Sequence, residues 1–367
     1  MSLRMGIIGF GGMGNLHNRV YSAIDGVEFV AAYDIDPKRL DQAKEAGLTA
    51  YETLDAFLAD DRINFVLVAT PNHVHKELAI AAMRAGKNVM VEKPATITSA
   101  DFEELIEVSK ECGVVLTCHH NRRFDRDYLT VRKIIDDGLI GKPFAIMSSV
   151  HAKRGEMHGW RCEKQYGGGM VLDWGVHLFD QILTAFPEKK ITSVFAQTAS
   201  IKNPGVEDFF KVQMTMDNDL FVEVEAGTYC LKPHDRWVVF GDQGAFNIKD
   251  FACTDGGITT TDYELANQSQ GDIVVLTPAG PTRTMSPLPA GAEYNTELPL
   301  IDVSEEGLVA YEDNGAVLYS RLYKNLVDVV DNGAELLVKP KDILRNIKFM
   351  EAVFESAEKG QSLTINL

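Results

Sequence analysis

Between Gly167 and Asp180 the chain reads GGGMVLDWGVHLFD: three glycines, then Asp173, His177 and Asp180. Spacings of four and three residues put side chains along one side of a helix. Glycine frees the backbone at the point of entry. A carboxylate and an imidazole on such a face can hold hydroxyl groups and move a proton. A free imidazole titrates near about 6.5, which suits His177 to take a hydroxyl proton. Asp173 would hold hydroxyls or orient His177, and Asp180, one turn on, reads as a helix-packing or hydrogen-bonding residue. Lys93 is the second candidate, in VEKP after an apolar run. An ammonium partly withdrawn from water can donate to a hydroxyl and stabilise the alkoxide that forms as hydride leaves. Each has an ordinary reading as well: a surface lysine before a proline turn, and a hydrogen-bonded helix histidine.

The elements that must position these groups are legible in the first third. Runs LRMGIIGF, VEFVAAYD, NFVLVAT, KNVMVEK and GVVLTC alternate with helical patterns near 13–24, 37–46, 73–85 and 99–111. That rhythm predicts βαβ units and a doubly wound parallel sheet. The runs are almost continuously apolar, as strands covered on both faces are. Gly9, Gly11 and Gly14 form GxGxxG, with Gly12 and Met13 inside it, directly after the first strand. There the glycines permit a tight turn, let a pyrophosphate approach the backbone, and let helix and sheet pack closely. The phosphates would sit on the positive end of the following helix. Asp34 ends the second strand, twenty residues past Gly14. Its carboxylate can bond ribose hydroxyls and would repel a 2′-phosphate, so NAD is expected over NADP; Lys38 and Arg39 nearby soften that preference.

Ligands of open parallel sheets lie beyond the carboxyl ends of the strands. Three such ends carry polar residues: Thr70, Pro71, Asn72, His73 and His75; Glu92 and Lys93; and His119, His120, Asn121, Arg122 and Arg123. Of these, Thr70, Pro71, Asn72, His75, Glu92, Lys93 and Asn121 are expected to border the cofactor. The histidines with Cys118 also invite a metal reading, but no spacing matches a structural zinc site, and no metal is expected.

After Asn121 the texture changes. A helix is expected near 125–137, then the strand PFAIMSSVHA and the glycine-led helix. Strands with tight turns follow from Ile191 to about Ile248. FVEVEAG alternates apolar and polar, so one sheet face is exposed or covered by another subunit. Residues 252–315 read as excursions, and helices close the chain near 314–332 and 340–359. The segment 151–166 holds Lys153, Arg154, His158, Trp160 and Arg161. An aromatic beside basic donors suits a sugar ring or an acidic substituent.

The whole has 367 residues and a formal net charge of −17. The length favours two domains, set at 1–122 and 123–367. So acidic a surface argues against nucleic acid and anionic membranes as partners. No apolar run approaches the roughly 20 residues of a membrane span. Five scattered cysteines without CxxC spacing fit a reduced, cytoplasmic protein.

GFGGMG, ATPNHVH, VEKPATIT, NRRF and GGGMVLDWGVHLFD, in this order, resemble the Gfo/Idh/MocA oxidoreductases, a family of inositol, glucose and other sugar dehydrogenases and reductases. The likeness covers the dinucleotide region, continues through Asp180 and is diffuse beyond. It implies an N-terminal Rossmann domain, then an α/β domain on a large, mostly antiparallel open sheet, through which members associate as homodimers or homotetramers. It implies that Lys93 and His177 are catalytic and Asp173 is a site aspartate. Lys93, Arg123, Trp160, Arg161, Asp173 and His177 would then face a polyol or sugar, and the bond before Pro94 is often cis. Some members reduce keto-sugars or break glycosidic bonds with a transiently used cofactor. Others bind dinucleotide without turnover.

Overall fold

The computed structural model describes residues 3–153, 155–217, 219–262, 273–284, 288–289, 291–301 and 320–367. The first lobe follows the alternation of its sequence. Its elements are β1 (Leu3–Ile8), α1 (Gly12–Tyr21), β2 (Val27–Tyr33), α2 (Pro37–Glu45), β3 (Thr49–Tyr51), α3 (Leu54–Leu58), β4 (Phe65–Val68), α4 (His75–Arg84), β5 (Asn88–Val91), α5 (Ser99–Cys112) and β6 (Leu116–Cys118). All six strands are parallel in the order 3-2-1-4-5-6, which reverses between β1 and β4. Such a reversal leaves a crevice at the carboxyl ends, where dinucleotides bind. Phe65 to Val68 are fully buried, as a strand with helices on both faces requires. The short β3 and α3 carry too little pattern to be read from sequence.

The second lobe holds α6 (Arg126–Asp136), β7 (Pro143–His151), α7 (Val176–Ala185), β8 (Ile191–Ala199), β9 (Phe209–Met216), β10 (Leu220–Gly227), β11 (Trp237–Gly241), β12 (Gly244–Ile248), β13 (Gly256–Thr261), β14 (Ile273–Thr277), β15 (Gly280–Thr284), β16 (Glu293–Thr296), α8 (Ser320–Asn332), α9 (Pro340–Lys359) and β17 (Leu363–Thr364). Nine strands form one sheet, antiparallel except where β7 and β10 run parallel. Val222 and Val224 on β10 face a core closed by α7 and α9, while Phe221 is 58% exposed on the other side. The alternation in FVEVEAG therefore marks a covered and an open face. Of residues 252–315, β13 and β16 extend this sheet and β14 and β15 form a separate ribbon. Residues 263–272, 285–287, 290 and 302–315 lie outside the described residues, as do Arg154 and the start of the helix expected at 314–332.

The chain does not stay in the second lobe to its end. Tyr323 on α8 stacks on Tyr21 of α1, ring centroids 4.2 Å apart, and is fully buried. Helix α9 packs on α7 and β8 but also on α5 and β6. One contiguous span of sequence thus braces both lobes.

Candidate active site at the cleft between the lobes

A cleft of about 810 Å³ runs along the carboxyl ends of β1, β2, β4 and β5. One end is made of backbone. Gly9 has φ of +93°, a left-handed conformation that glycine adopts freely. A side chain at Gly14 would place its Cβ 2.2 Å from the Gly9 carbonyl oxygen, so α1 can meet β1 this closely only with glycine there. Cβ atoms at Gly11 and Gly12 would instead meet nothing within 4 Å. No side chain caps α1, so its first N–H groups are left for a ligand. The donor set fits a dinucleotide pyrophosphate. Asp34 accepts from the backbone N–H of Phe10 (2.7 Å, Oδ2) and Asp36 (2.9 Å, Oδ1), which fixes its carboxylate at the cleft wall. Gly11, Gly12 and Asp34 would hold the phosphates and adenosine ribose, with Thr70 and Pro71 farther along the wall.

The other end is built of side chains. The Lys93 ammonium donates to the Asp173 carboxylate (Oδ1, 2.9 Å) and to its backbone carbonyl (2.8 Å). The Nε of Arg161 reaches the same Oδ1 at 3.3 Å. Burial works to raise the pKa of Asp173, but these two cations outweigh it and hold the carboxyl below its usual range. The peptide bond between Lys93 and Pro94 is cis. His177 is 5% exposed, and its Nδ1 is buried without a hydrogen-bond partner. Burial pushes its pKa well below the ordinary histidine value, and Lys93 and Arg122 push the same way. His177 is therefore neutral at physiological pH and a weaker base than a free imidazole. This corrects the expectation of titration near 6.5.

The helix carrying these groups is not a plain α-helix. Residues Val171–Gly175 form a π turn before α7 begins at Val176. Single π turns are frequent at functional sites. The entry is fixed by Glu207, whose carbonyl accepts from Met170 N–H (2.9 Å) and whose carboxylate accepts from Val171 N–H (3.0 Å). That carboxylate fills the space a side chain at Gly169 would need, 2.3 Å from its Cβ, and φ there is +106°. The glycines thus admit a carboxylate as well as a bend.

Several sequence-predicted residues take other places. Arg123 does not reach the cleft: it is buried in a bidentate pair with Asp180 (2.6 and 2.7 Å) and donates to the Leu337 carbonyl. This locks α7 to the end of the first lobe and accounts for Asp180. His75 is fully buried between two strand-end loops behind the cleft wall, its ring nitrogens 2.8 and 2.9 Å from the carbonyls of Thr70 and Pro94, one of which accepts its single N–H when neutral. Asn121 is likewise outside the wall, in the 3₁₀ turn Asn121–Phe124, and neither Asp173 nor His177 lines it; Asp173 is tied to it through Lys93 and Arg161. Asn72 lines the cleft, yet its amide donates to the Gly167 carbonyl at 2.8 Å, and His73 packs on Tyr166. Trp160 and Arg161 do line the cleft, beside Met13, Glu92 and Lys93.

Two residues went unremarked in the sequence, Trp174 and His17. Arg122 stacks on Trp174 (4.3 Å), whose ring lies 6.0 Å from that of His177. His17, on α1, gathers with Glu92 and His119 beneath Lys93. Its Nε2 lies 2.7 Å from a Glu92 carboxylate oxygen and its Nδ1 2.5 Å from the Tyr323 hydroxyl. One neutral tautomer, donating to Glu92 and accepting from Tyr323, satisfies both contacts. Glu92 in turn accepts from the Lys93 backbone N–H at 3.1 Å. Only a histidine three residues after GxGxxG hinted at this.

The similarities to known proteins agree with this geometry. Residues 3–120 match the oxidoreductase family with an NAD-binding Rossmann fold, and residues 128–247 match the GFO/IDH/MocA C-terminal domain. The chain is similar to a solved NAD-binding protein from Listeria innocua, at 35% identity and a TM-score of 0.88 over the whole of both chains. It is 25% identical to scyllo-inositol 2-dehydrogenase (NADP(+)) IolW of Bacillus subtilis, over 99% of this chain and 96% of that one. It is 32% identical to myo-inositol 2-dehydrogenase of Thermotoga maritima, over 53% of this chain and 58% of that one. Among the described residues no helix is long and apolar enough to cross a membrane. With both domains matched and both ends of the cleft in place, the chain belongs to the Gfo/Idh/MocA family of NAD(P)-binding oxidoreductases.

Proposed function

We propose that this protein is an NAD-dependent dehydrogenase acting on an alcohol carbon of a polyol or sugar, with Lys93, Asp173 and His177 as its catalytic residues. A bound nicotinamide supplies the hydride acceptor. The chain's own residues do the rest. Lys93 donates to the substrate oxygen and stabilises its developing negative charge. Asp173 keeps that ammonium aimed and offers its second oxygen to a neighbouring hydroxyl. Neutral His177 takes the hydroxyl proton. The alcohol loses a hydride and a proton and becomes a carbonyl. The observation that carries this reading is the Lys93–Asp173 contact at 2.9 Å, made by a lysine on the cleft wall, with neutral His177 four residues beyond Asp173 on the same helix. The two inositol dehydrogenases among the relatives make cyclic polyols the first substrates to try. The fixed carboxylate of Asp34 favours NAD over NADP, although one of those relatives is named for NADP(+).

The test is NADH absorbance with a panel of inositols, aldoses and keto-sugars. His177→Ala should lower kcat by about a hundredfold or more and leave NAD affinity within about threefold. Full activity in that variant would remove His177 from the mechanism. Dinucleotide binding with no turnover on any substrate would favour a sensing role.

We also infer that copies associate through the open sheet face. In its register Phe221 on β10 and Phe240 on β11 flank Ala145 of β7, and both rings are exposed. Light scattering should report a dimer or tetramer, and Phe221→Glu should lower that mass. A monomer in the unsubstituted protein would refute the assignment.

A further inference from the structure

At the substrate end one cation keeps donors to spare. Lys93 and Arg161 share a single carboxylate oxygen of Asp173, at 2.9 and 3.3 Å. Lys93 and Arg161 line the cleft together with Glu92, whose carboxylate is already taken by His17 and the Lys93 backbone N–H. Arg161 is bound by Nε alone; among the described residues its two terminal nitrogens have no partner. The guanidinium lies 4.5 Å from the ring centroid of Trp160, which also lines the cleft. It is therefore anchored at one edge and supported on a face. What remains open is the fork that pairs bidentately with a carboxylate. A neutral polyol would leave that fork unanswered.

We propose that the substrate is a sugar acid, a polyhydroxylated chain or ring carrying one carboxylate, and that Arg161 receives that carboxylate while Lys93 and His177 address a hydroxyl. This rests on the dehydrogenase reading above. It differs from that reading in placing an anion, and not a further hydroxyl, opposite Arg161.

The experiment compares D-gluconate, D-glucuronate and D-galacturonate with D-glucose and myo-inositol as donors, by NADH absorbance, in the unsubstituted protein and in R161Q. Arg161 is partly exposed, so the variant should fold. The acids should have the higher kcat/KM. R161Q should raise their KM ten- to a hundredfold more than it raises that of the neutral compounds, since one charge-assisted bidentate pair is lost. R161K, which keeps charge without the fork, should fall between. A preference for neutral polyols, or equal changes in R161Q for acids and neutral compounds, would overturn the proposal and leave the dehydrogenase intact. If nothing turns over, the dehydrogenase reading fails; calorimetric titration of D-gluconate and myo-inositol into the NADH-bound protein then decides this one. Tighter binding of gluconate that is lost in R161Q supports it, and gluconate no tighter than inositol refutes it.

Discussion

The two ends of the cleft are made of different material. At the cofactor end the ligand meets a backbone: Gly9, Gly11, Gly12 and Gly14 lie within six consecutive residues, and Asp34 is pinned by two N–H groups. At the substrate end, side chains arrive from three separated segments: Lys93 from the loop after β5, Arg161 from a 3₁₀ turn, Asp173 and His177 from the glycine-led helix. The first kind of site is fixed by local sterics. The second exists only when tertiary structure brings distant charges to within 2.9 and 3.3 Å of each other. The two should fail in different ways, and that difference can be tested.

Acid should strike both ends at once. Burial lowers the pKa of His17 and of His120 to about 4, and that of His177 well below its ordinary value. His17 joins the helix after the glycine loop to Glu92 beneath Lys93; His120 lies 3.6 Å from Asp180, and His177 is on α7. In the unfolded chain each takes up a proton near about 6.5, so the unfolded state binds more protons than the native one below that pH. Stability therefore rises with pH in this window and is lost as pH falls from about 6.5 toward about 4. His17 and His120 should each contribute on the order of 3 kcal/mol over that span. Urea unfolding at a series of pH values would measure it. A flat stability between those limits would mean that the imidazoles are not held neutral.

The next effect should injure one end only. Gly14→Ala sets a Cβ 2.2 Å from the Gly9 carbonyl, so α1 must move away from β1. Overpacking of this kind costs about 1–3 kcal/mol, and the displaced N–H groups should weaken NAD affinity by about tenfold or more. The Lys93–Asp173 pair lies outside the disturbed turn. Once the cofactor is saturating, kcat should recover to within about threefold of the unsubstituted enzyme. A kcat that stays low would show that the two ends are mechanically one.

The same contrast governs what could be read in advance. The first lobe was legible because buried parallel strands are apolar throughout and the glycine loop has a fixed spacing after its strand. Helix α9 was legible to its ends because Pro340 starts it and Gly360, with φ of +62°, stops it. Lys93, Asp173 and His177 were singled out because motif and family resemblance pointed to them, but their contacts could not be read there. Nothing in the spacing of GGGMVLDWGVHLFD says that a π turn opens it or that Glu207 fills the space of the missing side chain. Arg123 shows the limit most plainly. A basic residue after a strand end looks like a substrate ligand until Asp180, fifty-seven residues on, proves to be its partner. Buried ion pairs carry no local signature. Nor did the sequence announce that α8 crosses back to seat Tyr323 on His17.

The smallest predicted effect decides where one residue belongs. Asn72 sits at a strand end on the cleft wall, which by position makes it a cofactor ligand. Its amide, however, is spent on the Gly167 carbonyl, at the mouth of the glycine-led helix. Asn72→Ala removes the donor, leaves that carbonyl unpaired, and should cost about 1 kcal/mol in stability. The loss falls on the tie between the strand-end loop and the helix that carries Asp173 and His177. KM for the alcohol should therefore rise several-fold, while the dissociation constant for NAD stays within about twofold. The opposite split, weakened NAD with KM unchanged, would return Asn72 to the cofactor and show that its contact with Gly167 is incidental.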